Sequence, residues 1–298
     1  MISRRLSSQG TAILALIVLV MIWGYNWVVM KIAVQYAAPF DYAALRVLLG
    51  GLCLLLVLAW RRQPVRPKRV GGTVVVGTLQ MSAFYGLSTW ALASGSAGKT
   101  AVLNYAMPFW VLLLAWLVLG EQVRGVQWIS VVAALMGLTC ILMPLNFAEG
   151  LFSKELAILS SIGWAGGVVV AKKLQQRSPL DLLSFTTWQM LFGSIPLILV
   201  ALLVPSQPID WSPAFITALI YSVIPGNAIA WLLWFYALSR LPAGVAGLGT
   251  LAAPVIGVLA ARIQLGEEPR ALEAVGMALI FGALCLNAMQ ALRPRERV

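Results

Sequence analysis

Apolar residues run in blocks of about twenty along nearly the whole chain, each long enough to cross a bilayer as a helix. Polar and charged residues gather in the short stretches between blocks. Ten spans are predicted, covering approximately residues 11–34, 42–60, 70–93, 97–119, 125–143, 152–173, 180–204, 212–238, 243–264 and 269–291. The connections leave no room for a soluble domain. Several carry turn signals: Ala38-Pro39 after the first span, Ser94-Gly95-Ser96 after the third and Leu241-Pro242 after the eighth.

The blocks repeat. Ala97-Gly98, Pro108 and Gly120-Glu121 recur as Ala243-Gly244, Pro254 and Gly266-Glu267, all displaced by 146 residues. Trp90-Ala91-Leu92 matches Tyr236-Ala237-Leu238, and Tyr85 matches Trp231, at the same offset. Trp23 and Lys31 correspond to Trp164 and Lys172, Pro39-x-Asp41 to Pro179-x-Asp181, and Met136-Gly137 to Phe281-Gly282. The chain therefore reads as two versions of one five-span unit, residues 1–147 and 148–298. An odd number of spans per unit makes the second enter the membrane from the opposite side. The expected fold is all-α and integral to the membrane: ten transmembrane helices as two inverted five-helix repeats around a central cavity. Such repeats serve alternating access in transporters, with the substrate site at the repeat interface near the midplane.

Composition points the same way. The chain is 61% hydrophobic and only 10% charged, where a soluble domain carries roughly a quarter charged residues. The net charge of +11 does not indicate nucleic acid, because the basic residues sit between apolar runs rather than on an amphipathic face. Fifteen Lys and Arg collect on one side of the predicted spans and five on the other, with Arg46 just inside the second span. That asymmetry places both termini in the cytoplasm, and an even number of spans requires them to share a side. Arg4-Arg5 before an apolar stretch imitates a signal peptide. The run from Thr11 to Ala33 exceeds the h-region length of about 7–15 residues, so it is expected to stay as the first span. Cys53, Cys140 and Cys285 lie within apolar runs and read as small buried apolar residues. The chain has no His, which excludes imidazole catalysis and His metal ligation. With no convergent acid, base, nucleophile or metal ligands, neither enzymatic activity nor a cofactor or metal is expected.

Trp23-Gly24-x-x-Trp27 in the first span, Pro108 in the fourth and Gly120-Glu121 closing it resemble the EamA domain. Over about residues 11 to 291 the chain is similar to ten-span members of the drug/metabolite transporter superfamily. Within that superfamily it is similar to the bacterial aromatic and neutral amino-acid exporters of the YddG type. The resemblance implies an inner-membrane exporter whose central cavity is lined by helices 1, 3, 4, 6, 8 and 9. The second half departs from the motif, since Trp164 is followed by Ala165-Gly166-Gly167.

Candidate site residues follow from polar and aromatic groups at mid-span. Trp23, Asn26 and Trp27 fall at i, i+3 and i+4 on one helix face. An Asn in the bilayer needs partners, so this face points into the bundle or a wet cavity, as substrate lining or as interhelical glue. The third span holds Gln80, Ser82, Phe84 and Tyr85. Its repeat partner, the eighth, holds Pro225-Gly226-Asn227, Trp231 and Trp234, with a kink expected at Pro225 that frees carbonyls for a substrate ammonium. Thr100, Asn104 and Pro108 share a stripe in the fourth span with Tyr105 beside it, and Thr250 and Pro254 match them in the ninth. Each proline frees a carbonyl about one turn upstream. The expected substrate contacts are Trp23, Asn26, Trp27, Gln80, Tyr85, Asn104, Tyr105, Trp164, Asn227, Trp231 and Thr250. The expected hinges or kinks are Gly50, Pro108, Gly193, Pro225 and Pro254. Lys31, Lys172, Glu121 and Glu267 mark span ends, where they anchor the helix or pair across a gate.

The acidic residues lie in loops or near span ends, Glu273 being the deepest, so carboxylate-based proton coupling is not expected. With no central charge, nothing is present to hold a phosphate. Aromatic walls suit apolar or aromatic side chains and offer cation–π contact to an ammonium. The expected function is export of aromatic or neutral amino acids or related metabolites by alternating access, with the direction taken from the resemblance alone. The alternative cargoes within the superfamily are drugs, nucleosides and sugars. The expected partners are a small-molecule substrate and the lipid bilayer of the bacterial cytoplasmic membrane, with no nucleic acid. The oligomeric state is open, and a monomer is compatible.

Overall fold

The computed structural model describes residues 8–94, 104, 106–123, 125, 127–142, 151–177, 179–265 and 271–292. Tyr105, Thr100 and Gly266-Glu267 lie outside the described residues, as do the side chains of Trp27, Lys31 and Pro254. The described chain is helical, with no strand. Its helices are α1 (Ser8–Ala33), α2 (Pro39–Trp60), α3 (Val70–Gly77, Thr78–Ala83 and Phe84–Ser94), α4 (Met107–Leu119) and α5 (Gln127–Leu142). The second half follows with α6 (Leu151–Arg177), α7 (Leu182–Leu203), α8 (Pro213–Val223, Ile224–Ile229 and Ala230–Arg240), α9 (Ala243–Gly249 and Ala252–Leu265) and α10 (Ala271–Leu292). Six of them (α1, α2, α3, α6, α7 and α8) are long and apolar enough to cross a membrane, and α4, α5 and α10 contain shorter apolar helices. Each helix falls on one of the ten expected spans. Leu56, Leu202, Leu203 and Phe281 are exposed, as suits an outer surface facing lipid rather than water.

Helix starts follow from local chemistry. Pro39 and Pro213 occupy the first turns of α2 and α8, where a missing N–H costs nothing. The Asp181 carboxylate accepts from Ser184 N (3.1 Å) and the Ser212 hydroxyl from Phe215 N (3.4 Å), capping α7 and α8.

The packing is mirrored between the halves. α1 lies against α8 and α9, and its counterpart α6 lies against α3 and α4. α2 pairs with α7, α4 with the first part of α9, and α5 with α10. These are two inverted five-helix repeats. The main core cluster draws from both, joining Leu19, Val47, Tyr85 and Val111 to Trp164, Phe185, Trp231 and Leu238. The first helix of each repeat thus buries its face in the other repeat.

The mirror extends to a helix defect. Thr78–Ala83 in α3 and Ile224–Ile229 in α8 are π-helical, and the two segments stand 146 residues apart, the offset of the sequence repeat. A π turn holds an extra residue and shifts which face the following side chains occupy. Pro225 gives α8 a cause for its defect; α3 reaches the same geometry without a proline. Beside the α3 defect, helices α3 and α7 cross backbone to backbone at Gly77 and Gly193. A Cβ on Gly193 would lie 2.5 Å from Gly77 O and from Met81 Cβ, and a Cβ on Gly77 would lie 2.5 Å from Gln189 O.

Candidate functional site

The π segment of α8 turns Asn227 into the centre of the bundle, where it is fully buried. Its Nδ2 donates to Arg46 O of α2 (2.8 Å). Its Oδ1 accepts from Arg46 Nη2 (3.3 Å) and from the Tyr85 hydroxyl of α3 (3.4 Å). Gly50 admits this contact, since a Cβ there would stand 3.1 Å from that of Asn227. Arg46 itself is 1% exposed. Its guanidinium lies over the rings of Tyr42 and Tyr85, at 5.5 and 4.9 Å from their centroids. Tyr42 shares a hydrogen bond with Ser222, whose hydroxyl also reaches Asn26 Oδ1 at 3.5 Å. Helices α1, α2, α3 and α8 therefore meet in one buried polar network.

An aromatic cluster adjoins the network. The Trp23 indole donates to Gly226 O (3.2 Å), next to Asn227. Its ring packs on Trp231 (5.5 Å) and Trp234 (6.2 Å), and Trp234 continues to Trp164 of α6 (4.9 Å). Three of these four tryptophans are almost completely buried. The cluster draws on α1, α6 and α8 and so spans the repeat interface.

Several expected site residues gather here: Trp23, Asn26, Tyr85, Trp164, Asn227 and Trp231. Asn104, Gln80 and Thr250 bond elsewhere. Asn104 is buried between α3 and α6, where its Nδ2 donates to Ser88 Oγ (3.1 Å) and its Oδ1 accepts from Ser160 Oγ (2.6 Å). Gln80 Oε1 accepts from Gln189 Nε2 (3.3 Å), tying α3 to α7. Thr250 donates to Gly247 O in its own helix (2.7 Å), and Thr250 O accepts from Ala253 N (3.0 Å). The carbonyl upstream of Pro254 is thus taken up in a tightened turn where α9 is interrupted, and Gly226 O is taken up by Trp23. Pro108 sits in the first turn of α4.

The expectation of a bundle without central charge is overturned by Arg46. The signal is present in the sequence, since Arg46 lies inside an apolar span rather than with the flanking charges, and an ionisable residue there is a functional candidate by default. Tyr42 and Ser222 belong to the network and Trp234 to the aromatic cluster, although none of the three is among the expected contacts.

Of the span-end charges, Glu121 and Lys172 act as helix caps. Gly120 ends α4 in the left-handed conformation (φ 68°), which glycine adopts without Cβ strain. The turn aims Glu121 at the start of α9, where its carboxylate accepts from Ala243 N (3.0 Å) and Gly244 N (3.2 Å). Lys172 is buried rather than snorkelling to the surface, and donates to Leu238 O (2.6 Å) and Leu241 O (2.5 Å) at the end of α8. An anion at a helix N-terminus and a cation at a C-terminus are each favoured by the helix dipole. Together they hold the α8–α9 corner from α4 and α6.

Known proteins place this architecture. The chain is similar over its length to two transporters of Bacillus subtilis whose function is uncharacterised, YoaV (25% identical, covering 92% of this chain and 93% of that protein) and YvbV (29%, 95% and 93%). It is 27% identical to a probable amino-acid metabolite efflux pump of Salmonella typhimurium, covering 94% of this chain and 95% of that one. A solved protein structure superposes with a TM-score of 0.80 at 19% identity, covering 94% of this chain and 97% of that one, so the fold is shared. The profile of the EamA-like transporter family matches twice, over residues 10–143 and 155–289. With that match across both halves, this multi-pass membrane protein belongs to the EamA-like transporter family.

Proposed function

We propose that this transporter moves aromatic or neutral amino acids, or closely related metabolites, out of the cytoplasm by alternating access. In this reading the halves 1–147 and 148–298 rock about the site in the inner membrane, with both termini cytoplasmic. The observation that carries the reading is the Trp23–Trp231–Trp234–Trp164 cluster at the repeat interface, set against the polar network of Asn227, Tyr85 and Asn26. Flat aromatic walls contribute affinity for an apolar or aromatic side chain, and the polar network serves the amino-acid head group. The Salmonella relative described as a probable amino-acid metabolite efflux pump supports the same cargo class.

Transport runs down the cargo gradient without a carboxylate proton relay. Asp181 and Glu121 cap helices, and Asp41 lies in the first turn of α2, where it accepts from Ser206 Oγ (2.6 Å). A radiolabelled panel in proteoliposomes tests both points. Aromatic and neutral amino acids are expected to cross in preference to nucleosides and sugars, and to keep crossing when the pH gradient is collapsed. Transport of nucleosides or sugars alone refutes the cargo class. Loss of transport on collapsing the pH gradient, with the substrate gradient kept, refutes the uncoupled mechanism.

A further inference from the structure

We propose that Arg46 is the seat for a carboxylate of the cargo, so that the carboxylate, and not the ammonium, is the group the site requires. The inference rests on the amino-acid reading above and sharpens it.

Arg46 stands seven residues into α2, about 10 Å along the helix from Pro39. It is 1% exposed and makes no ion pair with any carboxylate among the described residues. Of its five N–H donors, Nη2 reaches Asn227 Oδ1, while Nε and Nη1 have no partner among the described residues. The tyrosine rings offset only part of the cost of desolvating a guanidinium, and an uncompensated buried cation is strongly unfavourable. The neighbouring helix face repeats the deficit. Trp231 and Trp234, one and two turns along α8 from Asn227, are fully buried with indole N–H groups unpartnered. Every partnerless buried polar atom on α2 and α8 is a donor. Such a region is built for an acceptor carrying negative charge.

A carboxylate fits these terms better than other anions. Its two oxygens match the planar guanidinium fork, and its single charge balances the single cation. The second buried cation among the described residues, Lys172, is committed to the Leu238 and Leu241 carbonyls, which leaves none to share a phosphate dianion. The tryptophan cluster beside the network takes the side chain that such a carboxylate carries.

The test is equilibrium binding of the full-length purified protein, by calorimetry, to four matched ligands: phenylalanine, 3-phenylpropanoate, phenylethylamine and phenylalanine amide. Sodium phosphate at equal ionic strength is the control. The two carboxylates are expected to bind at least about tenfold tighter than the amine and the amide, the range of a charge-assisted hydrogen bond. Arg46→Gln is expected to erase that difference and Arg46→Lys to keep part of it. The ligand panel on the unaltered protein decides the matter even where a variant does not fold. Amine or amide binding as tightly as the acids overturns the seat while leaving the amino-acid reading intact. Binding of 3-phenylpropanoate but not phenylalanine supports the seat and overturns amino acids as cargo. Phosphate binding as tightly as 3-phenylpropanoate makes this a general anion site and overturns the carboxylate assignment. Silence toward all four ligands overturns both readings.

Discussion

Gly193 offers a choice between two physical roles. As a hinge it supplies flexibility to α7; as a contact it lets α3 and α7 touch at Gly77. Gly193→Ala separates them. The new Cβ would stand 2.5 Å from Gly77 O and from Met81 Cβ, roughly 0.9 Å short of ordinary contact. A backbone oxygen cannot rotate away as a side-chain tip can, so the two helices must part by most of that distance. Overpacking of this kind costs about 1–3 kcal/mol. The separation also stretches the bond from Ser82 Oγ to Gly193 O, now 2.8 Å, worth roughly 0.6 kcal/mol in a membrane protein. The total is about 2–4 kcal/mol. For a chain of this size that corresponds to a fall in melting temperature of roughly 4–16 °C, read by tryptophan fluorescence of the detergent-purified protein. Gly77→Ala is expected to match it, and the double variant to cost less than the sum, because both changes act on one crossing. An unchanged melting temperature with slowed transport refutes the contact and restores the hinge.

Three further perturbations probe the caps and the network. Glu121→Ala removes the acceptor for Ala243 N and Gly244 N and the anion at the start of α9, and is expected to lower stability by about 1–2 kcal/mol, with Glu121→Gln recovering part of it in the same melting assay. Asn227→Leu removes the oxygen that accepts from Arg46 Nη2 and from the Tyr85 hydroxyl and is expected to cost about 2–4 kcal/mol. Asn227→Asp instead supplies Arg46 with a counterion, at the cost of the bond that Asn227 Nδ2 donates to Arg46 O, and is expected to lower affinity for carboxylate ligands. Ser160→Ala loosens the Ser88–Asn104 cluster by about 1 kcal/mol or less and is expected to leave cargo preference unchanged, whereas Trp164→Ala is expected to shift it, measured on the same proteoliposome panel.

Much of this molecule is legible in one dimension. Apolar blocks of bilayer length predict every helix, because in lipid a helix satisfies all its own backbone bonds and needs no distant partner. The 146-residue offset predicts the inverted repeats, and the π segments of α3 and α8 fall on it. Pro254 marks the interruption of α9, since a missing N–H acts on its own turn. Gly120-Glu121 marks the end of α4 for the same local reason.

What each polar side chain meets was decided only by the tertiary structure. Arg46 and Asn227 are 181 residues apart and meet because α2 and α8 cross at Gly50. Lys172 reads from sequence as a snorkelling residue at a span end, yet it is buried on carbonyls 66 and 69 residues further on. Glu121 likewise caps a helix 122 residues away. The sequence determined which segments are helices and that they come in two copies, because those properties depend on neighbours along the chain. Which donors are satisfied and which stay open depends on helices from the opposite half arriving at a particular depth and rotation, and only the assembled bundle sets that.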